Sequence, residues 1–213
     1  MTRPRPFLLA LAGATAALAL SGCAGTAGPA ASPARSAVPA PRVTTTAAPA
    51  PAEQLATKPL ARSEPVRVRV PAAGVDTGPI LRLGLEQDGS VQVPSVAQAD
   101  RIGWYDKGVT PGETGPAILI GHYDTADGPA VLRDIGRLHV GDRITVTRAD
   151  GTDAVFRVRE LEQVDKKAFP TDEVYGDTTR PELRLITCGG ELVDGHRPDN
   201  IVVYADLVTP STA

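Results

Sequence analysis

The chain has 213 residues, of which 42% are hydrophobic, 22% charged and only 4% aromatic, and its formal net charge at pH 7 is −3. This composition is ordinary for a globular protein, and the negative charge argues against a nucleic-acid-binding surface built on bulk positive charge. The average hides an uneven distribution, because residues 23–62 contain 13 alanines and 7 prolines. About 145 residues remain for a folded domain, which is enough for one hydrophobic core.

The N-terminus has the pattern of a targeting segment. Arg3 and Arg5 precede an uncharged apolar run at residues 7–20. At 1.5 Å per residue a helix over this run reaches about 21 Å, short of the roughly 30 Å of a bilayer core, so we do not expect it to span a membrane. The sequence Leu20-Ser21-Gly22-Cys23 follows and resembles the bacterial lipobox, which implies cleavage before Cys23 and lipid attachment to that cysteine.

These features predict four segments. Residues 1–22 are a signal peptide, residues 23–63 an Ala/Pro-rich disordered tether, residues 64–208 the folded domain that would carry the function and residues 209–213 a tail. The lipid would hold the exported protein on the outer face of the cytoplasmic membrane. Secretory cleavage without lipidation and an uncleaved anchor are the alternatives.

The cysteine count bears on the chemistry. Only Cys23 and Cys188 are present, and a disulfide is the usual expectation for an exported pair. Lipidation of Cys23 forbids that pairing and leaves Cys188 as an unpaired thiol. Because an unpaired exported thiol is a liability unless it is used, Cys188 is a candidate nucleophile.

The domain is predicted to consist mostly of strands, with helical pieces only near residues 95–102, 129–137 and 166–175. Residues 66–70 alternate strictly between valine and arginine, as a half-buried strand does, and Asp150-Gly151 between two apolar runs predicts a hairpin. About eight strands with few helices suggest an all-β, closed or nearly closed barrel. The candidate strands are residues 66–70, 80–85, 90–93, 117–122, 143–148, 154–164, 183–187 and 201–208.

Two reactive side chains stand at the ends of apolar runs. Cys188 follows Leu185-Ile186-Thr187, and His122 follows a similar run that ends at Gly121. Strand ends are where a rigid scaffold presents functional groups. A thiol with a nearby imidazole and a cation for the oxyanion suffices for cysteine-based acyl transfer without a cofactor, and Arg197 lies nine residues past Cys188.

The motifs around both residues resemble those of the sortases, which are cell-surface cysteine transpeptidases. Leu185-Ile186-Thr187-Cys188 is similar to the family's cysteine signature, and Gly121-His122-Tyr123-Asp124 to the histidine block of class F sortases. The similarity extends over residues 65–207. It implies an eight-stranded β-barrel with a groove for a sorting-signal peptide beside the thiol.

The resemblance also implies a reaction. Cys188 would attack the carbonyl of a Thr-Gly-type bond in a Leu-Pro-x-Thr-Gly-like signal, and His122 would protonate the departing amine. An amine from a wall precursor or a pilin lysine would resolve the thioester. Thr187 would help position the peptide, and no metal or organic cofactor is needed. We expect the enzyme to act as a monomer.

Two departures from the family pattern leave alternatives open. Asn200 stands near the position where the family's arginine usually lies, so either Arg197 or the Asn200 amide serves the oxyanion, and we favour Arg197. The second departure is the lipobox, because sortases generally carry a membrane-spanning anchor. Asp124 either orients His122 or caps a turn.

Other readings are weaker. His139 and His196 are expected on the surface, and a metal site of Cys188, His122 and Asp124 lacks the paired-ligand spacing of zinc sites. The functional alternatives are a non-catalytic sortase-like lipoprotein that binds peptides and another exported cysteine acyltransferase, such as an L,D-transpeptidase. The latter family's Ser-x-Gly-Cys-type motif is absent around Cys188.

Overall fold

A computed structural model describes Leu55 and residues 58–208 of the chain. The predicted signal peptide, the lipobox with Cys23, most of the predicted tether and the tail at residues 209–213 lie outside the described residues. Residues 60–63, which composition places in the tether, contact the domain: the Leu60 N–H donates to Gly112 O at 2.8 Å and the Ser63 N–H donates to Thr110 Oγ1 at 3.1 Å. Among the described residues, no helix has the length and apolar character needed to cross a membrane.

The described chain is built from strands with very short helices. The strands are β1 Pro65–Val70, β2 Val75–Thr77, β3 Leu81–Leu83, β4 Ile102–Tyr105, β5 Gly115–Gly121, β6 Asp124–Thr125, β7 Gly128–Pro129, β8 Arg143–Arg148, β9 Asp153–Asp165, β10 Pro181–Gly189 and β11 Asp199–Leu207. One α-helix, α1, covers Thr171–Tyr175, and single 3-10 turns cover Pro71–Ala73, Val96–Gln98, Ile135–Arg137 and Lys166–Ala168.

Nine strands form one sheet in the order β2-β1-β8-β9-β11-β10-β5-β4-β3, and β6 pairs only with β7. The sheet curls around a main core to which strands from both of its ends contribute, including the buried Val68, Trp104, Phe156 and Leu185. A second, smaller cluster that includes Ile120, Ile186 and Val174 packs on the other face. The prediction of an all-β barrel-like fold is confirmed.

The local patterns explain where strands form. Val68 and Val70 of β1 point into the core, whereas Val66 is 39% exposed because the register of β1 against β8 shifts between Pro65 and Arg67. Such a bulge reverses the side-chain alternation on one side of the shift. The predicted hairpin is confirmed: β8 and β9 pair antiparallel, and Gly151 takes a φ of +82° in the turn that joins them.

The strand count differs from the predicted eight. β4 was not predicted because three of its four residues are buried, which removes the alternation that marks a half-buried strand. Residues 90–93 form no strand and contribute only an isolated bridge between Leu85 and Val91. The predicted helices shrink to 3-10 turns and to α1.

The opposite face of β10 carries buried charge. Glu182 and Arg184 pair at 2.8 Å, each with a side chain at most 4% exposed, and the Arg184 guanidinium lies 4.7 Å from the centre of the Tyr204 ring. Burial alone would raise the pKa of Glu182, but the hydrogen bonds and positive charges of Arg184 and Arg159 together outweigh it, so the pKa is lowered. Arg184 also donates to the carbonyl of Glu173 at 3.4 Å, which holds α1 against this face.

Candidate active site

Sheet topology brings four strand ends to one place. β10 and β5 are parallel neighbours with Ile186 opposite Ile120, so Cys188 and His122, each two residues further on, emerge side by side. β11 is antiparallel to both β10 and β9, and its first residue, Asp199, lies opposite Gly189 and Asp165. The carboxyl ends of β5, β10 and β9 therefore meet the start of β11 at one edge of the sheet.

Cys188 is half-buried at the end of β10 and is a free thiol. Its sulfur lies 3.5 Å from the Nζ atom of Lys166, which follows directly after β9. Within the described part of the chain, this ammonium is the hydrogen-bonding partner of the thiol. The sulfur thus sits at a solvent-accessible strand end next to a positive charge.

His122 is fixed through both its backbone and its ring. Its carbonyl accepts a hydrogen bond from the Leu132 N–H at 2.9 Å, and its Nε2 atom lies 2.6 Å from the carbonyl oxygen of Pro94. Because a carbonyl only accepts, Nε2 carries the proton in this contact and Nδ1 is the atom left to accept one from a reacting group. A partner on one ring nitrogen fixes the tautomer presented by the other.

Arg197 is held by the residues that follow His122. Its Nε atom donates to both carboxylate oxygens of Asp124, at 2.9 and 3.1 Å, while Nη2 donates to Asp124 and Nη1 to the carbonyl of Gly190. The guanidinium also lies 4.6 Å from the centre of the Tyr123 ring. The side-chain hydrogen bonds between Arg197 and Asp124 raise the pKa of the guanidinium and lower the pKa of the carboxyl group.

This Arg197–Asp124 pair joins two loops. Arg197 belongs to the β10–β11 connection, and Asp124 belongs to the β6–β7 hairpin immediately after His122. Arg133 forms a second ion pair with Asp124 at 3.0 Å. The Arg133 guanidinium also lies 4.6 Å from the centre of the Tyr123 ring, which Arg197 contacts as well. Asp124 therefore contacts two arginines, whereas the His122 ring contacts Pro94; the carboxylate binds the loops together rather than orienting the imidazole.

Asn200 and Thr187 stand next to the thiol. Asn200 is directly opposite Cys188 in the β10–β11 register, and both line the same cleft. The Thr187 side chain is 3% exposed, and its Oγ1 atom has no hydrogen-bond partner among the described residues although it too lines the cleft. An unpaired buried hydroxyl costs free energy that a hydrogen bond from a bound ligand would recover.

A cleft of about 750 Å³ connects these groups. Cys188, His122, Asn200 and Lys166 occupy its polar part, and the remaining wall is mostly apolar. Its apolar and aromatic lining comprises Leu85, Val91, Val93, Tyr105, Ile120, Phe169, Tyr175 and Ile186. Burial raises the pKa of Tyr175, so its hydroxyl stays protonated and able to donate. Leu85 and Val93 are 48% and 57% exposed, which leaves an apolar rim on solvent.

The cleft unites most, though not all, of the residues singled out from sequence. Cys188, His122, Thr187 and Asn200 line it, whereas Arg197 and Asp124, which form an ion pair, are not among its lining residues. His139 and His196 are exposed, in agreement with the prediction. In the described residues no three His, Cys, Asp or Glu side chains are grouped as metal ligands, and the carboxylate that a metal site would need is occupied by two guanidinium groups.

Sequence reasoning missed two contacts at this site. Lys166 lay within a stretch predicted as helix, and only the pairing of β9 with β11 brings it to Cys188. Pro94 lies 28 residues before His122, and no local pattern links the two. The strand predicted at residues 154–164 indicates that Lys166 follows a strand end, but not that this end lies beside Cys188.

Comparison with known proteins agrees with this architecture. The Sortase domain family model matches residues 68–208. Three similar solved structures are sortases. Streptococcus agalactiae sortase C1 in complex with MTSET has a TM-score of 0.53 and 14% sequence identity, and the match covers 71% of this chain and 72% of that chain. Sortase C-1 from Actinomyces oris has a TM-score of 0.52 and 20% identity, with 68% of this chain and 76% of that chain covered. The Clostridium perfringens sortase D5 transpeptidase has a TM-score of 0.51 and 20% identity, with 68% of this chain and 79% of that chain covered.

At these identities the solved structures establish the fold, and no curated protein matches the chain. The family model, however, spans well over half of the 213 residues and includes both Cys188 and His122. The chain therefore belongs to the sortase family, the cysteine transpeptidases that act on sorting signals outside the bacterial cell.

Proposed function

We propose that the protein is a class F-like sortase that cleaves a Leu-Pro-x-Thr-Gly-like sorting signal through a thioester on Cys188 and transfers the product to an amine. The observation that carries this proposal is the convergence of Cys188 and His122, from parallel neighbouring strands, on one cleft with apolar walls. The class F assignment draws on Gly121-His122-Tyr123-Asp124, whose aspartate is the residue that binds Arg197.

The reaction has two halves. The Cys188 thiol passes its proton to His122 as the sulfur attacks the threonine carbonyl carbon and a C–S bond forms. The C–N bond then breaks as His122 gives that proton to the leaving amine. In the second half an acceptor amine attacks the thioester, loses a proton to His122 and displaces the Cys188 thiolate. The thiolate takes this proton back from His122, so thiol and imidazole are restored, and no cofactor enters the balance.

The cleft offers what an extended peptide needs. Apolar side chains on Val91, Val93, Phe169 and Ile186 suit the leucine and proline of the signal, and burying them on binding is favourable. The unpartnered Thr187 hydroxyl supplies a hydrogen bond to the peptide beside the scissile bond. These groups give the peptide an apolar anchor and a fixed register.

The test is a peptide panel in which the apolar pair, the central residue and the Thr-Gly bond are varied, with an oligoglycine or a lysine side chain as the acceptor amine. We expect cleavage at the Thr-Gly-type bond and an amine-linked product, both dependent on the apolar pair. If no peptide in the panel is cleaved while Cys188 is alkylated normally, the protein is a peptide-binding module rather than an enzyme.

We propose that Arg197 stabilises the oxyanion. It is the guanidinium whose charge interacts with Cys188, and its Nη1 contact to Gly190 places it beside the loop that follows the nucleophile. Arg197→Ala should lower the cleavage rate by roughly 10²-fold, the usual effect of losing one oxyanion donor. Asn200→Ala should change it far less, and both rates come from the same peptide assay.

Two comparisons keep this prediction sharp. Asp124→Asn removes the ion pair but keeps the guanidinium, so it should cost less than Arg197→Ala if the arginine acts on the oxyanion rather than by joining the loops. A near-wild-type rate for Arg197→Ala together with a low rate for Asn200→Ala would transfer the role to the Asn200 amide.

We also propose that the chain is a lipoprotein anchored through Cys23, with residues 23–63 as a tether and residues 64–208 as the catalytic domain. The lipobox and the apolar run before it support this proposal. Expressed in a bacterium with lipoprotein processing, the wild type should partition into detergent and carry diacylglycerol on an N-terminal Cys23. The Cys23→Ser variant should lose both properties; an unchanged mass and unchanged partitioning would contradict lipidation.

A further inference from the structure

We propose that Lys166 is a further catalytic residue of the site, whose ammonium group stabilises the thiolate of Cys188 during attack. This inference rests on the proposed function and adds a residue that the sequence motifs do not contain. It assigns the two cations near the site to different atoms. Lys166 serves the sulfur, and Arg197 serves the oxyanion.

The position of Lys166 is set by backbone as well as side-chain contacts. Its N–H donates to Pro198 O at 3.0 Å, and its Nζ atom donates to Arg197 O at 2.8 Å. Asp165, the residue before it, accepts from the Lys167 N–H at 2.7 Å and so caps the turn that begins at Lys166. The first and third contacts fix the backbone at Lys166, and the second holds its ammonium at the Arg197 carbonyl, next to the Cys188 sulfur.

The charges around the two cations differ. The Arg197 guanidinium donates to both oxygens of Asp124 and carries a neutralising partner. The described residues give the Lys166 ammonium no carboxylate partner; besides Cys188 Sγ at 3.5 Å, it contacts only a carbonyl oxygen. Lys166 is thus a cation in direct contact with the sulfur whose charge no carboxylate of the described residues neutralises.

The contact between Lys166 and Cys188 favours the reactive form of the cysteine. The thiolate is the attacking form of cysteine, and a neighbouring ammonium favours it by direct Coulomb attraction. The Nζ atom lines the same cleft as His122 and Asn200, so it remains beside the sulfur in the space that the peptide enters. Since Lys166 is exposed, salt is expected to weaken the effect.

The test measures alkylation of Cys188 in the full chain, separated from any alkylation of Cys23 by mass mapping of proteolytic fragments, and it needs no sorting-signal peptide. Neutral iodoacetamide and anionic iodoacetate are reacted with wild type, Lys166→Met, Lys166→Gln, Lys166→Arg and the neighbouring control Lys167→Met. Both neutral substitutions should slow iodoacetamide about five- to tenfold, the effect of removing one unit charge a few ångströms away near a solvated surface. The rate with iodoacetate should fall further than the rate with iodoacetamide, because the anionic reagent also loses its attraction to the ammonium. The rates for Lys166→Arg and Lys167→Met should stay near those of wild type.

The outcomes separate this inference from the proposed function. Unchanged alkylation in Lys166→Met and Lys166→Gln overturns it even if wild type cleaves peptides. A fall in peptide cleavage with alkylation unchanged also overturns it, because the lysine would then act on the peptide rather than on the sulfur. The inference is supported if Lys166→Met is alkylated more slowly than wild type and high salt reduces the difference between the two rates. This holds even if no peptide in the panel is cleaved.

Discussion

Replacing Cys188 with alanine is expected to abolish peptide cleavage, lowering the rate by at least about 10⁴-fold, because the covalent step has no other nucleophile. Cys188 is the free thiol of the described residues, and the hydroxyl of Thr187 beside it is buried and far less nucleophilic. The measurement is initial rate of release of the amine fragment from the best peptide of the panel.

The control for the Cys188→Ala variant is a test that it still folds and still binds the peptide. Cys188 is half-buried, and among the described residues its sulfur hydrogen-bonds with Lys166 alone, so removing it should leave the thermal midpoint close to that of wild type. Binding of the uncleaved peptide to Cys188→Ala should persist, because the apolar cleft is intact. Cleavage within tenfold of wild type would show that the acyl transfer does not pass through this residue.

Replacing His122 with alanine is expected to lower the rate by roughly 10²- to 10⁴-fold, the usual range for a general acid and base. The ring is held by Pro94 and free to exchange a proton at its other nitrogen. The assay compares a peptide amide with the matching peptide ester whose leaving group needs no proton. The loss should be much smaller for the ester, because the protonation that His122 supplies is then unnecessary.

His139 provides the matched control. Its side chain is 64% exposed and lies away from the cleft, so His139→Ala should cleave both substrates at the wild-type rate. An equal loss on amide and ester in His122→Ala would mean that the imidazole acts on the sulfur or on peptide binding, and it would contradict the proposed role as acid for the leaving amine.

The fold was predictable where a strand has one face in the core or is framed by clear turns. β8 shows regular alternation, and the Asp150-Gly151 turn marks its hairpin with β9. β4 could not be read from local pattern, because it is buried on both faces and lacks the alternation of a half-buried strand. Residues 90–93 were predicted as a strand, but only Val91 pairs, in one isolated bridge to the nearby Leu85.

That Cys188 and His122 lie together was also predictable, since each follows an apolar run and both motifs resemble one family. Their neighbours were not. The contacts of Lys166 with Cys188 and of Pro94 with His122 span 22 and 28 residues of sequence and arise from strand order. Likewise, the choice between Arg197 and Asn200 depended on side-chain direction: the register puts Asn200 opposite the thiol, while Arg197 turns toward Asp124.

The most direct test of the central claim is intact mass spectrometry of the protein incubated with the best peptide in the absence of an acceptor amine. We predict a mass increase equal to the acyl fragment of the peptide, mapped to Cys188, removed by hydroxylamine as a thioester is, and absent in Cys188→Ala. Peptide cleavage with no adduct on Cys188, or an adduct that hydroxylamine leaves in place, would contradict a thioester mechanism at this residue.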